Sequence, residues 1–234
     1  MRQIILDTET TGLSPEKGDR IIEIGCVELL HRKPTGHNLH HYINPQRDSH
    51  EDAIKIHGIS NEFLRDKPTF GQIVHSLLTY LQGAELIIHN APFDTAFLNH
   101  ELSLLGLPPI QTNVTAITDT LLMAKDLYPG KRNNLDALCE RLGVDNASRT
   151  FHGALLDAQL LADVYLCLTR GQNELLPEHH HTRATDQLDR VDLSHHQLPI
   201  LTANLQEQQA HQAQLIAIDK TSKGKTIWRT FNTA

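Results

Sequence analysis

Residues 2–12 read RQIILDTETTG, a short apolar run, RQIIL, that meets the acidic cluster Asp7-Thr8-Glu9. An apolar, β-branched run of this length predicts a buried strand ending at the acids. Side chains of a strand alternate between its faces, so Asp7 and Glu9 project to one side. Two carboxylates at the exposed end of a buried strand repel each other unless a cation neutralises them. Oxygen donors of this kind suit Mg²⁺ or Mn²⁺. By itself, D-x-E also fits a solvated turn with two surface acids.

Outward from this stretch, a charged loop with Pro15 and Gly18 leads to a second apolar run over residues 20–30. A weaker third segment, residues 37–43, is broken by Asn44-Pro45. Three strands in quick succession suggest an antiparallel meander. The pattern then turns helical: Phe70, Ile73, Val74, Leu77, Leu78 and Leu81 recur at helical spacing over residues 69–81, before Gly83. Residues 85–89 predict a fourth strand, residues 92–105 an amphipathic helix ended by Gly106, and residues 114–117 a fifth strand. Helical patterns follow around residues 120–125, 135–142 and 154–168. Strands first, then strand–helix alternation, predict a mixed five-stranded α/β sheet flanked by helices, with no internal repeat. This folded domain spans residues 1–171. Composition shifts at Gly171: residues 172–197 are a polar linker rich in Gln, His, Asp and Thr, and apolar groups return over residues 198–234. The tail reads as a flexible tether carrying a binding segment.

The 234 residues, 39% hydrophobic, suffice for one core with sequence to spare. Cys26, Cys139 and Cys167 are too scattered for a disulfide framework or a thiolate zinc site, and fit a reducing cytoplasm. The N-terminus turns acidic before reaching signal-peptide length, and no apolar stretch is long enough to span a bilayer, so no membrane association is expected. The net charge is −7, and residues 1–170 hold 15 Lys and Arg against 21 Asp and Glu. Carboxylates serving divalent cations would be largely offset. The surface still lacks a broad basic footing, so a polyanion would be gripped locally at a strand end and delivered by a partner.

Two further motifs carry acids. In His89-Asn90-Ala91-Pro92-Phe93-Asp94 a strand runs into a helix; Pro92 suits its first turn, and Asp94 lies near its positive end. In His152-Gly153-Ala154-Leu155-Leu156-Asp157, residues five apart on one helix would point about 140° apart. Gly153 relieves this by leaving His152 on a loop before the helix that bears Asp157. Alone, each motif also fits a dipole-stabilising or capping residue. Together, three acidic sites fall where strands end or helices start, which is where open α/β sheets bind ligands. Four carboxylates and one histidine match two-metal phosphodiester hydrolysis, in which ions roughly 4 Å apart hold the attacking and leaving oxygens and a base takes a proton from water. Asp119 and Asp163 are excluded, and the runs His179-His180-His181 and His195-His196 read as solvated filler.

DTETTG, HNAPFD and HGALLD resemble, in order, the three motifs of the DEDDh 3′→5′ exonuclease family, which has a ribonuclease H-like fold. Gly153, four residues before Asp157, stands where the tyrosine branch has Tyr, and His152 marks the histidine branch. The resemblance implies that Asp7, Glu9 and Asp157 hold the metal that carries the attacking water. Asp7 would bridge to a second metal supported by Asp94, and His152 would be the general base. It also implies that Thr10 meets the terminal nucleotide, with Phe93 and Ile56-His57 around its base. Stacking of that kind is sequence-independent and favours a single-stranded or frayed 3′ DNA end.

The tail narrows the resemblance. Gln172-Asn173-Glu174-Leu175-Leu176 resembles a sliding-clamp-binding peptide, with Gln172, Leu175 and Leu176 in its key places but no terminal aromatic. A Gln-rich helix over residues 202–215, the LIAI segment and Trp228 resemble the C-terminal segment of the proofreading-subunit family of bacterial DNA polymerase III, which binds the catalytic (alpha) subunit. A lone Trp near the terminus suits a partner's groove. A small accessory subunit is a further candidate partner. Two other readings stay open: a DEDDh exonuclease acting on RNA ends or short oligonucleotides, and a non-catalytic scaffold bridging clamp and polymerase.

Overall fold

The computed structural model describes residues 1–147, 151–170 and 203–223. The chain divides into two units, Met1–Glu178 and His179–Ala234.

In the first unit, β1 (Arg2–Thr10) and β2 (Ile21–Leu30) pair antiparallel from Arg2↔Leu30 to Thr10↔Ile21. β1 runs through the acidic cluster instead of ending at it, because β2 offers backbone partners opposite Asp7, Thr8 and Glu9 whatever their side chains. β3 (Lys33–Pro34) and β4 (Leu39–Tyr42) both pair antiparallel with β2. β5 (Glu85–Ile88) lies parallel to β1, and β6 (Ala116–Asp119) parallel to β5. The sheet has six strands, ordered β3-β2-β1-β5-β6 with β4 also on β2, where the sequence predicts five. The additional strand, β3, is two residues long and leaves no alternation to read.

Two short helices also escape the sequence pattern, α1 (Glu51–His57) and α2 (Asn61–Leu64). The longer ones fall where predicted: α3 (Phe70–Leu81), α4 (Ala91–Leu104), α5 (Thr120–Leu127), α6 (Leu135–Leu142) and α7 (Ala154–Leu168). A capping box between Thr69 and Gln72 starts α3.

The sheet is buried on both sides. Ile4, Leu6, Ile24 and Cys26 join Phe70, Leu77 and Leu81 of α3 and Phe97, Leu98 and Leu102 of α4 in one core. Ile5, Val27, Leu29 and Ile87 join Ala158, Leu161, Ala162 and Tyr165 of α7 in the other. Each Val, Leu, Ile or Phe side chain among them contributes roughly 1.5–3 kcal/mol when fully buried. The consecutive Ile4-Ile5-Leu6, all at 0% exposure, therefore anchor β1 from both faces just before the acids.

In the second unit, α8 (Leu205–Thr221) starts at a capping box between Asn204 and Glu207. It runs six residues beyond the predicted end at 215, so the LIAI segment continues the helix rather than following it. α8 buries none of its residues. Gln172, Leu175, Leu176 and Trp228, and the whole linker over residues 172–197, lie outside the described residues. Among the described residues, no helix is long and apolar enough to cross a membrane.

Candidate active site

Asp7 and Glu9 stand two apart on β1, so both face the side of the sheet that carries α7. Opposite Asp7 on β2 is Gly25. A Cβ there would overlap the backbone of Ala154 and Leu155. Its absence lets the first turn of α7 lie against the sheet. Asp157 belongs to that turn, is buried, and donates its backbone N–H to the Gly153 carbonyl at 2.8 Å.

Gly153 is the N-cap of α7 in extended conformation, with φ −144° and ψ 127°. His152 therefore lies outside the helix, the helical phase does not apply, and its Nδ1 stands 3.4 Å from Asp157 Oδ2. The His152 backbone N–H donates to the Ile56 carbonyl at 3.1 Å. Beside it, Phe151 covers Gly58, where a Cβ would come within 3.1 Å of the ring. The end of α1 thus supports the histidine. Donor atoms of Glu9, His152 and Asp157 all lie within 4.8 Å of one another, from a half-buried, an exposed and a buried residue. Two carboxylate oxygens and an imidazole at this spacing form a donor set that fits a hard divalent cation.

Asp7 stands on the same face as Glu9 but outside that group of three. Asp94 arrives from the opposite face, in the first turn of α4, at 3% exposure. Thr8, between the two acids of β1, donates its hydroxyl to Asp94 Oδ1 at 2.7 Å. Burial pushes the Asp94 carboxyl up to about 7, against the Thr8 hydrogen bond and with a smaller contribution from Asp119. The structure therefore joins Glu9, His152 and Asp157 directly, and ties Asp94 to the same strand from behind.

Asp119, excluded on sequence, shapes this arrangement. Its Oδ1 accepts the Leu121 N–H at 2.8 Å, capping α5, and the Asn90 N–H at 3.1 Å. Asn90 is the N-cap of α4 and holds a left-handed φ of 68°, so Asp119 fixes the turn that aims Asp94. An acid at a strand–helix junction is a capping signal. Its second bond reaches 29 residues back and leaves no local trace. Asp163 is exposed on α7, as its helical phase predicts.

Of the four predicted substrate contacts, Ile56 is exposed and Phe93 partly buried, its ring 5.0 Å from that of Phe97. Thr10 is buried and its hydroxyl donates to the Gly12 carbonyl at 2.6 Å. His57 is buried at the end of α1, with Nδ1 accepting the Ile59 N–H at 3.0 Å. Burial lowers its pKa, the Glu23 carboxylate opposes that, and His152 adds to it.

A family profile described as exonuclease matches residues 4–165. DNA polymerase III subunit epsilon of Pasteurella multocida is 48% identical over 235 residues, covering 97% of this chain and 93% of that protein. The same subunit of Escherichia coli is 44% identical over 237 residues, covering 97% of each. Among solved structures, exonuclease X in complex with 5′ overhanging duplex DNA is 25% identical, with a TM-score of 0.56 over 71% of this chain and 90% of that one. The nuclease domain of 3′hExo, a DEDDh family member bound to rAMP, shares the fold, with a TM-score of 0.60 at 22% identity over 70% of this chain and 90% of that one. The chain belongs to the exonuclease family and, within it, to the family of DNA polymerase III epsilon subunits.

Proposed function

We propose that the chain is the proofreading 3′→5′ exonuclease subunit of a replicative DNA polymerase, hydrolysing 3′-terminal nucleotides of DNA to nucleoside monophosphates. The enzyme is a divalent-metal-dependent hydrolase. The observation that carries this reading is the convergence of Glu9 from β1 with His152 just before α7 and Asp157 in its first turn, in a chain so similar to epsilon subunits.

Asp7, Glu9 and Asp157 would hold one Mg²⁺ or Mn²⁺, and Asp7 with Asp94 a second. When bound, such ions supply charge stabilisation at the attacking and leaving oxygens. His152, the exposed member of the trio, takes the proton from the attacking water. Thr10 and the backbone after Glu9 receive the terminal nucleotide, with Ile56, His57 and Phe93 around its base. A mispaired end frays more readily and so enters more often.

Residues 1–171 act as the nuclease domain. Residues 172–197 act as a linker whose Gln172, Leu175 and Leu176 engage the sliding clamp. Residues 198–234, Trp228 included, bind the polymerase alpha subunit. The exposure of Leu205 at 77% and Ile216 at 68% on α8 supports a partner-covered segment. The cytoplasm is the setting this assembly implies. The deciding assay follows a 5′-labelled single-stranded DNA with Mg²⁺ and with EDTA, on paired and mispaired ends, beside a matched RNA. Stepwise loss of 3′ nucleotides that EDTA abolishes is expected, faster on the mispaired DNA end. No monophosphate release with Mg²⁺ would sink the proposal.

A further inference from the structure

Asp19 is 3% exposed yet stands outside the metal-holding group. Its Oδ2 accepts the Ser14 N–H at 3.0 Å, and its Oδ1 the Thr11 hydroxyl at 3.1 Å. His50 Nε2 and Arg47 Nη2 approach the same Oδ1 at 3.1 and 3.3 Å. Gly12 lies over the carboxylate: a Cβ there would fall 2.5 Å from Asp19 Oδ2 and 2.5 Å from the His50 ring. Thr11 is bound further, its N–H donating to the Arg20 carbonyl at 2.9 Å and its carbonyl accepting the His50 N–H at 2.9 Å. Residues 11–14 are thus wrapped around one buried anion.

Burial opposes ionisation of Asp19. Hydrogen bonds from Ser14 and Thr11 and the charges of Arg47 and His50 prevail and hold its carboxyl below the usual range. Closing a Thr-Gly-Leu-Ser turn needs no ion, and a buried charge is unfavourable unless fully satisfied. What a satisfied polar hub adds is one geometry selected from many. The turn it selects begins two residues after Glu9, and the intervening Thr10 is tied to it by donating its hydroxyl to the Gly12 carbonyl.

We propose that Asp19 is a positioning residue for substrate, setting the conformation of residues 10–14 so that this turn receives the 3′-terminal nucleotide beside the metal-holding acids. The proposal rests on the exonuclease reading above, which the unsubstituted enzyme tests first. If that enzyme releases no nucleotides with Mg²⁺, the exonuclease reading itself has failed.

The test uses the full chain, a 5′-labelled single-stranded DNA oligonucleotide and Mg²⁺. Asp19→Asn keeps the shape and removes the charge. Its KM should rise about tenfold, the equivalent of one charge-assisted contact, with kcat changed less than about threefold and the half-saturating Mg²⁺ concentration unaltered. Arg47→Met should raise KM in the same direction, and the double variant should be no worse than Asp19→Asn, because both changes remove one interaction. A wild-type KM in Asp19→Asn would overturn the proposal, as would a defect in kcat and Mg²⁺ requirement with KM unaffected. Should Asp19→Asn fail to fold, Arg47→Met decides, and a wild-type KM there also overturns it.

Discussion

Asp94→Asn should make the metal-free protein more stable while disabling it. At 3% exposure, burial pushes this carboxyl from 3.8 to about 7. Every tenfold rise in proton affinity corresponds to about 1.4 kcal/mol, so the charged form carries a penalty of up to about 4 kcal/mol at alkaline pH. The folded-state pKa lies above the unfolded one, so the native protein binds the extra proton between the two values. Stability therefore falls as pH rises from about 4 through about 7, then levels off. Asparagine keeps an oxygen for the Thr8 hydroxyl, now 2.7 Å from Asp94 Oδ1, and has no charge to lose. Urea unfolding of both metal-free proteins should give similar stabilities near pH 4, with the variant ahead by roughly 2–4 kcal/mol above pH 8. Added Mg²⁺ should then stabilise wild type more than the variant, and hydrolysis by the variant should be severely impaired. A stability difference that stays flat across pH, or a wild type that remains the more stable at pH 8, would refute the reasoning.

His152→Ala should lose about 10²- to 10⁴-fold in turnover while Mg²⁺ still raises its melting temperature; near-normal hydrolysis would reject the base assignment. Gly25→Ala forces a methyl into the backbone of Ala154 and Leu155. It should destabilise by about 1–3 kcal/mol and lower activity by displacing Asp157 and His152, and a variant matching wild type in both respects would contradict the packing account. A chain ending at residue 197 should degrade single-stranded DNA at the full rate yet fail to copurify with the polymerase subunit. Persistent tight association would contradict the assigned role of the tail.

The long-period features were legible in the chain. Phe70 to Leu81 repeats at helical spacing, and α3 occupies that stretch. The acids of DTETTG, HNAPFD and HGALLD could be picked out because each interrupts an apolar run, and Gly153 signalled the break that brings His152 beside Asp157. What escaped notice depends on partners distant in sequence or on elements too short for a period. β1 continues through its acids because β2 pairs with it. α1 and α2, at seven and four residues, lack enough turns to show a stripe. The need for glycine at position 25 becomes visible only when α7 is laid on the sheet. The role of Asp119 shows only in the bond it accepts from Asn90, 29 residues back, and that of Asp19 only in the convergence of Thr11, Ser14, Arg47 and His50 on its carboxylate.

β1 is buried on both faces, and its acids inherit their direction from that burial. Sliding this strand by a single step along β2 would turn Asp7 and Glu9 toward the α3 and α4 side and swing Thr8 toward α7. Such a slip would part Glu9 from His152 and Asp157, whose donor atoms now lie within 4.8 Å of one another. The chemistry of the centre is thus tied to a single register of one pair of strands.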